Sequence, residues 1–368
     1  MNKLVPFRSV LIFGGAGFVG SNLAYRILKT TDAKVHIFDN LSRRGVHHNL
    51  KWLQGVAGNT DRLKVTIGDI RDASLVQRAV QVATEIYHFA AQVAVTTSIA
   101  DPGFDFDVNV RGTLNVLEAS RKGGRRPFLL FTSTNKVYGG MASQPLVAAA
   151  SRYSCASDSG VSESQPLDLH SPYGCSKGAA DQYVRDYART FDLPTVVFRM
   201  SCIAGPRQFG NEDQGWIAHF LYSALEDRPV TIYGDGRQVR DVLYVEDLVR
   251  AFEAVRSRVE KTSGEVYNIG GGIENSISIL EIIELIEKLT GKKLHYEMDL
   301  ARAGDQLFYV TDFEKLRRDT AWQPRVNVRQ TLENMYEWRK RNRELFPSVV
   351  TARPAVAARL QEQPEVAS

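Results

Sequence analysis

The chain has 368 residues, 43% of them hydrophobic and 24% charged, with 46 basic against 42 acidic residues. These proportions describe a globular protein of about two domains with an ample core, and they exclude a disordered, collagen-like or membrane-bundle chain. The net charge of +4 gathers into no basic face, so neither nucleic acid nor a membrane surface is expected as a partner.

Taken in chain order, Val10–Phe13, Lys34–Phe38, Leu63–Ile67, Glu85–Phe89, Phe128–Thr132 and Thr195–Arg199 read as short strands. Between them Val19–Lys29, Ser74–Val82, Val108–Ser120 and Tyr173–Thr190 carry apolar residues at helical spacing. This alternation predicts an α/β fold with a Rossmann-type, doubly wound parallel sheet. After Arg199 the rhythm breaks. Residues 201–238 are rich in Gly, Pro, Gln and aromatics, followed by an expected strand Val239–Val245, a helix Glu246–Val255, a strand Glu265–Ile269 and an amphipathic helix Ile279–Leu289. The expected division is a dinucleotide-binding domain of residues 1–200 and 239–272, and a smaller interleaved C-terminal lobe of residues 201–238 and 273–345. Met141–His170 has few apolar anchors and is expected to be a long functional or mobile loop. Residues 346–368, mostly Pro, Ala, Val and Gln, are expected to be a disordered tail.

Cys155, Cys175 and Cys202 are too sparse for a disulfide framework and lack zinc spacing. They read as free thiols in a reducing compartment, and no metal site is expected. Lys3 and Arg8 precede the apolar Val10–Phe13, but glycines interrupt it before a secretory leader could form. No apolar run reaches the roughly 18 residues that cross a bilayer. A cytoplasmic location is expected.

Gly14-x-x-Gly17-x-x-Gly20 directly follows the first strand and opens a helix. Such a turn needs positive φ, a backbone that can approach a pyrophosphate, and close helix–strand packing. The helix start then offers free amides and a positive dipole to phosphate. The second strand ends at Asp39, 19 residues after Gly20. An acid there accepts bonds from ribose hydroxyls and repels a 2′-phosphate, favouring NAD over NADP, although Arg43 and Arg44 follow closely. Asp69, after the third strand, fits a helix cap and an adenine contact equally well.

Tyr173-x-x-x-Lys177 places two side chains on one helical face, where an ammonium lowers the pKa of a phenol. Tyr173 could then serve as general base and, in reverse, as general acid. Alone, this pair is common on protein surfaces. The combination carries the signal: Thr132-Ser133-Thr134 ends a strand one βα unit earlier, and Val137-Tyr138-Gly139 follows it.

The glycine spacing resembles the short-chain dehydrogenase/reductase superfamily, and the length resembles its extended branch, which handles nucleotide sugars. The resemblance implies a catalytic trio of Thr134, Tyr173 and Lys177. It implies that NAD is held by Gly14, Gly17, Phe18, Val19, Gly20, Asp39, Asn40, Ser42, Arg43, Asp69 and Ile70. Ala90, Ala91, Gln92, Asn109, Thr132 and Met200 complete that set, with Tyr173 and Lys177 shared. Arg240 and Arg302-x-x-Asp305 match positions that hold a nucleotide diphosphate, which suits guanidinium forks. Thr97, Asn135, Lys136, Ser201, Cys202, Arg207, Gln208 and Gln214 are the remaining substrate candidates. Cys202 stands where this branch commonly has Asn, and since Cys is a poor hydrogen-bond donor that substrate contact is expected to be either lost or supplied by Ser201.

Within the branch, Phe38-Asp39-Asn40-Leu41-Ser42-Arg43, Ser133-Thr134-Asn135-Lys136-Val137-Tyr138-Gly139 and His170-Ser171-Pro172-Tyr173-Gly174-Cys175-Ser176-Lys177 resemble the 2-epimerases of CDP-hexoses. The match runs from Val10 to about Trp338 and is poor between Met141 and Leu167. It implies transient oxidation at C2 to a 2-keto sugar, rotation of the sugar, and re-reduction on its other face. The 4,6-dehydratases carry Asp-Glu after the catalytic Thr, and Asn135-Lys136 cannot supply that acid–base pair. A C4-epimerase uses the same trio and stays open, as does a non-catalytic dinucleotide-sensing module. A nucleotide-diphosphate sugar, a CDP-hexose in particular, is the expected partner, and a homodimer or homotetramer the expected assembly.

Overall fold

The computed structural model describes residues 8–141, 144–155, 160–302 and 304–346. Its first half runs β1 (Ser9–Phe13), α1 (Phe18–Thr30), β2 (Lys34–Asp39), α2 (Val46–Ala57), β3 (Leu63–Ile67), α3 (Ala73–Val80) and β4 (Glu85–His88). Then come α4 (Val95–Ala100), α5 (Pro102–Phe106), a π turn at Asp107–Arg111, α6 (Gly112–Lys122) and β5 (Phe128–Thr134). The short strands β6 (Leu146–Ala148) and β7 (Tyr153–Cys155) precede α7 (Ser171–Phe191), β8 (Thr195–Met200) and β9 (Cys202–Ala204). The last third holds α8 (Trp216–Leu225), β10 (Val230–Tyr233), β11 (Val239–Tyr244), α9 (Val245–Arg256), α10 (Val259–Thr262), β12 (Val266–Ile269), β13 (Ser276–Ser278) and α11 (Ile279–Thr290). It closes with β14 (Tyr296–Asp299), β15 (Phe308–Tyr309), α12 (Glu314–Thr320) and α13 (Val328–Arg341).

A parallel seven-stranded sheet in the order β12-β8-β5-β4-β1-β2-β3 forms the centre. Its strands are covered on both faces, and side chains alternate between two cores. Val10 and Ile12 of β1, with Phe128 and Leu130 of β5, enter one core, while Leu11, Phe13, Leu129 and Phe131 enter the other. The strand order reverses between β1 and β4, and a parallel sheet opens a crevice at such a reversal, beyond the carboxyl ends of its strands. β5 ends there in Thr132-Ser133-Thr134, buried with the rest of the strand.

Several elements depart from the expectations. Val239–Tyr244 does not join the large sheet; β11 pairs with β9, β13 and β15 in a four-stranded sheet of the smaller lobe. α8 lies where only irregular chain was expected. Ile217, Ala218, Phe220, Leu221, Tyr222 and Ala224 bury it nearly all round, so no polar stripe marks its period. The Met141–His170 segment is anchored rather than structureless among its described residues. β6 and β7 pair antiparallel, and Val161 is buried, its N–H bonded to the Val310 carbonyl at 2.7 Å. The single expected helix 108–120 is broken by the π turn, whose cap lets α6 start at Gly112. Phe346, placed in the tail by its sequence, packs on Phe209 with ring centroids 5.1 Å apart. The rest of the expected tail, 347–368, lies outside the described residues.

Candidate active site

The crevice is a groove whose floor is the glycine turn. Gly14 has φ of 74°, and a Cβ there would lie 2.8 Å from the Ala90 nitrogen. A Cβ on Gly20 would lie 2.3 Å from the Gly14 carbonyl oxygen. Gly17 caps α1 without any side-chain bond, so the amides of Phe18, Val19 and Gly20 at the helix start are available to a phosphate. The turn is thus a cradle that any side chain at these points would fill, and it fits a dinucleotide pyrophosphate.

Asp39, at the end of β2, is buried, and each of its carboxylate oxygens already accepts one backbone N–H, from Ala16 at 3.0 Å and Leu41 at 2.9 Å. A carboxylate retains further acceptor sites, so it braces the turn while facing the groove. Asn40 Oδ1 accepts from the hydroxyl of Ser42 at 2.8 Å. Asp69 is held by Arg71 through two bonds of 2.9 Å. These residues line the groove with Ile70, Ala90, Ala91, Gln92 and Thr97, and with Arg43, Thr132 and Met200. Asn109 lies behind the wall, donating to the Gln92 carbonyl and accepting from the Gln92 N–H, both at 3.0 Å.

At the far end stand Thr134, Tyr173 and Lys177. Pro172 lies in the first turn of α7, a favoured place for a residue without an N–H. The Tyr173 N–H is satisfied by Ser98 Oγ at 3.1 Å. Lys177 Nζ donates to the Thr132 carbonyl at 2.6 Å and sits 4.1 Å over the Phe131 ring. Burial pushes the Tyr173 phenol up to about 12, against a hydrogen bond with Thr134 and the charge of Arg43. Burial likewise pushes Lys177 down to about 7, opposed by Asp181 and Asp105. The expectation that Lys177 lowers the Tyr173 pKa is therefore corrected for this state of the protein. The ammonium is engaged with the end of β5, and Thr134 and Arg43 do the lowering.

The substrate candidates fall into separate groups. Lys136 and Arg240 share Asp305 Oδ1, at 3.0 and 2.9 Å. Asn135 is buried beside Thr134, its Oδ1 3.3 Å from the Thr134 hydroxyl. Cys202 Sγ accepts from the Trp216 indole N–H at 3.3 Å, and burial raises its thiol pKa. Ser201 does not stand in for it: its hydroxyl donates to the buried carboxylate of Asp241. Gln208 Nε2 donates to the Ile203 carbonyl at 3.1 Å. Arg207 stacks on Trp52, 3.5 Å from the ring centroid, which commits its charge to that ring. Arg302 lies apart from the Lys136–Arg240 pair, 3.8 Å over Tyr233 and facing Glu212 and Asp213.

Residues 206–215 form a strap across the groove mouth. Gln214 bonds Arg43, and Thr96 donates to Asp213 at 2.9 Å. Asn22 and Asn49 hold the strap from α1 and α2, through the carbonyls of Pro206 and Arg207 at 3.2 and 3.3 Å. The sequence reading missed Ser98, Thr96 and Asp213 because their partners are far away in the chain. Ser176, which lies between Tyr173 and Lys177 in the same motif, was within its reach.

A parallel sheet in this order, with a glycine turn at its first crossover and a Thr–Tyr–Lys set at its switch point, defines an extended short-chain dehydrogenase/reductase. More narrowly, the chain belongs to the GDP-mannose 4,6 dehydratase family, whose profile matches residues 11–335. That family comprises nucleotide-sugar epimerases and dehydratases. The chain is 43% identical to the CDP-paratose 2-epimerase of Salmonella typhi over 337 residues, covering 89% of this chain and 98% of that protein. Among solved structures it resembles the UDP-glucuronic acid 4-epimerase of Bacillus cereus, in complex with UDP-glucuronic acid and NAD. Their TM-score is 0.78 at 28% identity, covering 90% of this chain and 99% of the other. The dTDP-glucose 4,6-dehydratase of Streptomyces venezuelae with NAD bound matches equally well, with a TM-score of 0.78 at 28% identity over 91% and 98% of the two chains. Among the described residues no helix is long and apolar enough to cross a membrane, and no cluster of His, Cys, Asp or Glu could hold a metal ion.

Proposed function

We propose that the protein is an NAD-dependent nucleotide-sugar 2-epimerase acting on a CDP-hexose of the paratose/tyvelose type. The observation that carries this reading is the pair after the catalytic threonine. Asn135 is buried against Thr134, and Lys136 is tied to Asp305, so no acid–base pair stands there to eliminate water. The 43% identity to a CDP-paratose 2-epimerase supports the same choice.

The glycine cradle, the braced Asp39 and the groove wall from Ala90 to Gln92 would hold NAD, with Lys177 within reach of its ribose. When bound, NAD supplies a reversible hydride acceptor. Tyr173 Oη takes the proton of the C2 hydroxyl as that carbon is oxidised and returns it on re-reduction. The Thr134 hydroxyl orients the reacting oxygen through the hydrogen bond it shares with Tyr173. Lys177, one turn along α7 from Tyr173, would have to leave the Thr132 carbonyl once NAD is bound to bring its positive charge towards the developing phenolate. Arg240 and Lys136 would take the diphosphate, exchanging their shared Asp305 for phosphate oxygens. Because the hydride leaves and returns within one turnover, no external redox partner is required.

A CDP-hexose deuterated at C2 tests this reading. The expected product is inverted at C2, retains its deuterium there, and takes up no label from deuterated water. Inversion at C4, or solvent label at C6 as a 4,6-dehydratase would give, overturns it.

A further inference from the structure

Behind Tyr173 and Lys177 lies a carboxylate that the proposed reaction does not use. Asp105, on α5, is 1% exposed. Its Oδ1 accepts from Gln92 Nε2 at 2.9 Å and Asn109 Nδ2 at 3.1 Å, while Oδ2 is buried without a hydrogen-bond partner. Asn109 Nδ2 also donates to Ser176 Oγ at 3.0 Å, and the Ser176 hydroxyl donates to the Tyr173 carbonyl at 3.2 Å. Two side chains thus connect this carboxylate to the helical turn that presents Tyr173. A bare carboxylate oxygen is costly in an apolar interior unless a cation is near. Burial raises the Asp105 carboxyl pKa, and the Lys177 ammonium opposes this as a charge at longer range, its own hydrogen bond going to the Thr132 carbonyl.

We propose that Asp105 is a positioning residue for the acid–base pair: its ionised carboxylate keeps Lys177 charged and, through Asn109 and Ser176, fixes the turn that aims Tyr173 into the groove. This rests on the reading of Tyr173 and Lys177 as the acid–base pair, and not on the identity of the sugar. Burial lowers Lys177 to about 7 even with Asp181 and Asp105 opposing it, so taking away either anion leaves less of it charged at neutral pH. Asp105 also raises the Tyr173 phenol. Removing the charge therefore moves both ionisations towards lower pH, whereas losing a merely packing side chain moves neither in a fixed direction.

The other groups facing the pair are accounted for. Asp181 on α7 shares its charge with Arg199 through bonds of 2.8 and 3.0 Å. Arg43, from the β2–α2 connection, lowers the phenol, and Thr134 on β5 bonds it. His88 on β4 is kept neutral, pushed down to about 3 by burial and by Lys177. Asp107 is turned to Arg111 at 2.8 Å.

The test is a spectroscopic titration of the NAD-loaded protein without sugar, following tyrosinate absorbance as the difference between each protein and its Tyr173→Phe counterpart. In Asp105→Asn the Tyr173 step should move to lower pH by about half a unit or more, and Asp105→Glu, which keeps the charge, should restore it. If Asp105→Asn does not fold, Gln92→Met removes one donor from Oδ1, disfavours the ionised carboxyl, and should shift the step the same way. A step that ignores these changes in a folded protein overturns the proposal alone. A parent protein with no Tyr173-dependent step overturns the acid–base reading together with it.

Discussion

Arg199 and Asp181 are joined by two hydrogen bonds, with side-chain exposures of 5% and 0%. Arg199 Nη1 also donates to the Tyr138 hydroxyl at 3.0 Å, and that hydroxyl donates to Asn268 Oδ1 at 2.7 Å. The network locks α7 to β8, to β12 and to the turn after β5. The helix carrying Tyr173 and Lys177 is therefore fixed along its axis by paired charge, which apolar contacts alone would leave free to slide.

Breaking that pair should be expensive. Removing one partner strands a charge in the interior and costs about 3–5 kcal/mol. Asp181→Asn should lower the urea midpoint accordingly, while Asp181→Leu combined with Arg199→Met should recover much of the loss. A single-variant cost below about 1 kcal/mol would mean that water reaches the pair.

The glycine turn separates cofactor loss from general damage. Gly20→Ala puts a methyl 2.3 Å from the Gly14 oxygen, so the parent is expected to purify with NAD and the variant without it, as read by releasing and identifying the dinucleotide. A methyl placed on Gly55, within α2, would meet nothing within 4 Å. Gly55→Ala should keep the cofactor and gain about 0.5–1 kcal/mol of stability.

Tyr173→Phe keeps the ring and removes the acid–base oxygen. Its kcat should fall about 100- to 10,000-fold with NAD binding nearly intact. Lys177→Met should damage both, since the ammonium serves the phenol and the cofactor ribose. Unchanged turnover in Tyr173→Phe would remove it from the reaction.

Arg240 and Lys136 share one carboxylate oxygen. Arg240→Met should weaken binding of CDP roughly 10- to 100-fold by calorimetry, the range for losing charge-assisted bonds. Asp305→Asn, which releases both cations, should not weaken it. Equal losses in the two variants would place the diphosphate elsewhere.

Two buried histidines predict acid sensitivity. Burial lowers His36 to about 4, and His88 to about 3, while the unfolded side chains titrate near 6.5. Below that pH the unfolded chain takes up protons that the folded protein refuses. Their contribution is complete above about pH 6.5 and is lost as pH falls through the two depressed values. The Tm should drop across this window, with a shallower slope in His36→Gln.

The large sheet was legible because its strands are buried on both faces, and they appear in the sequence as short apolar runs set off by glycine and helical periods. The glycine turn, Asp39 and the Thr–Tyr–Lys set were legible because each sits in one short motif. α8 was hidden by its burial on all sides, and β11 by a partner choice that local sequence does not record. Asp105 was invisible for another reason. Asn109 is only four residues on, but Gln92 and Lys177 come from separate segments, and only the folded chain brings them to it.

The π turn at Asp107–Arg111 holds one residue more than a regular helix would need there. Each helical residue rotates the chain by about 100°, so the extra one changes the phase of everything before it relative to α6. That phase lets Asn109 look towards Gln92 and Ser176 while Val116 and Leu117 face the core. Deleting one residue from this turn would join α5 and α6 into a smoother helix, better hydrogen-bonded and easier to form, with Asp105 and Asn109 swung out of register with α7. At this place, mutations that improve the helix and mutations that keep the chemistry are opposed, and a chain evolving only for stability would pass through the loss of its acid–base pair.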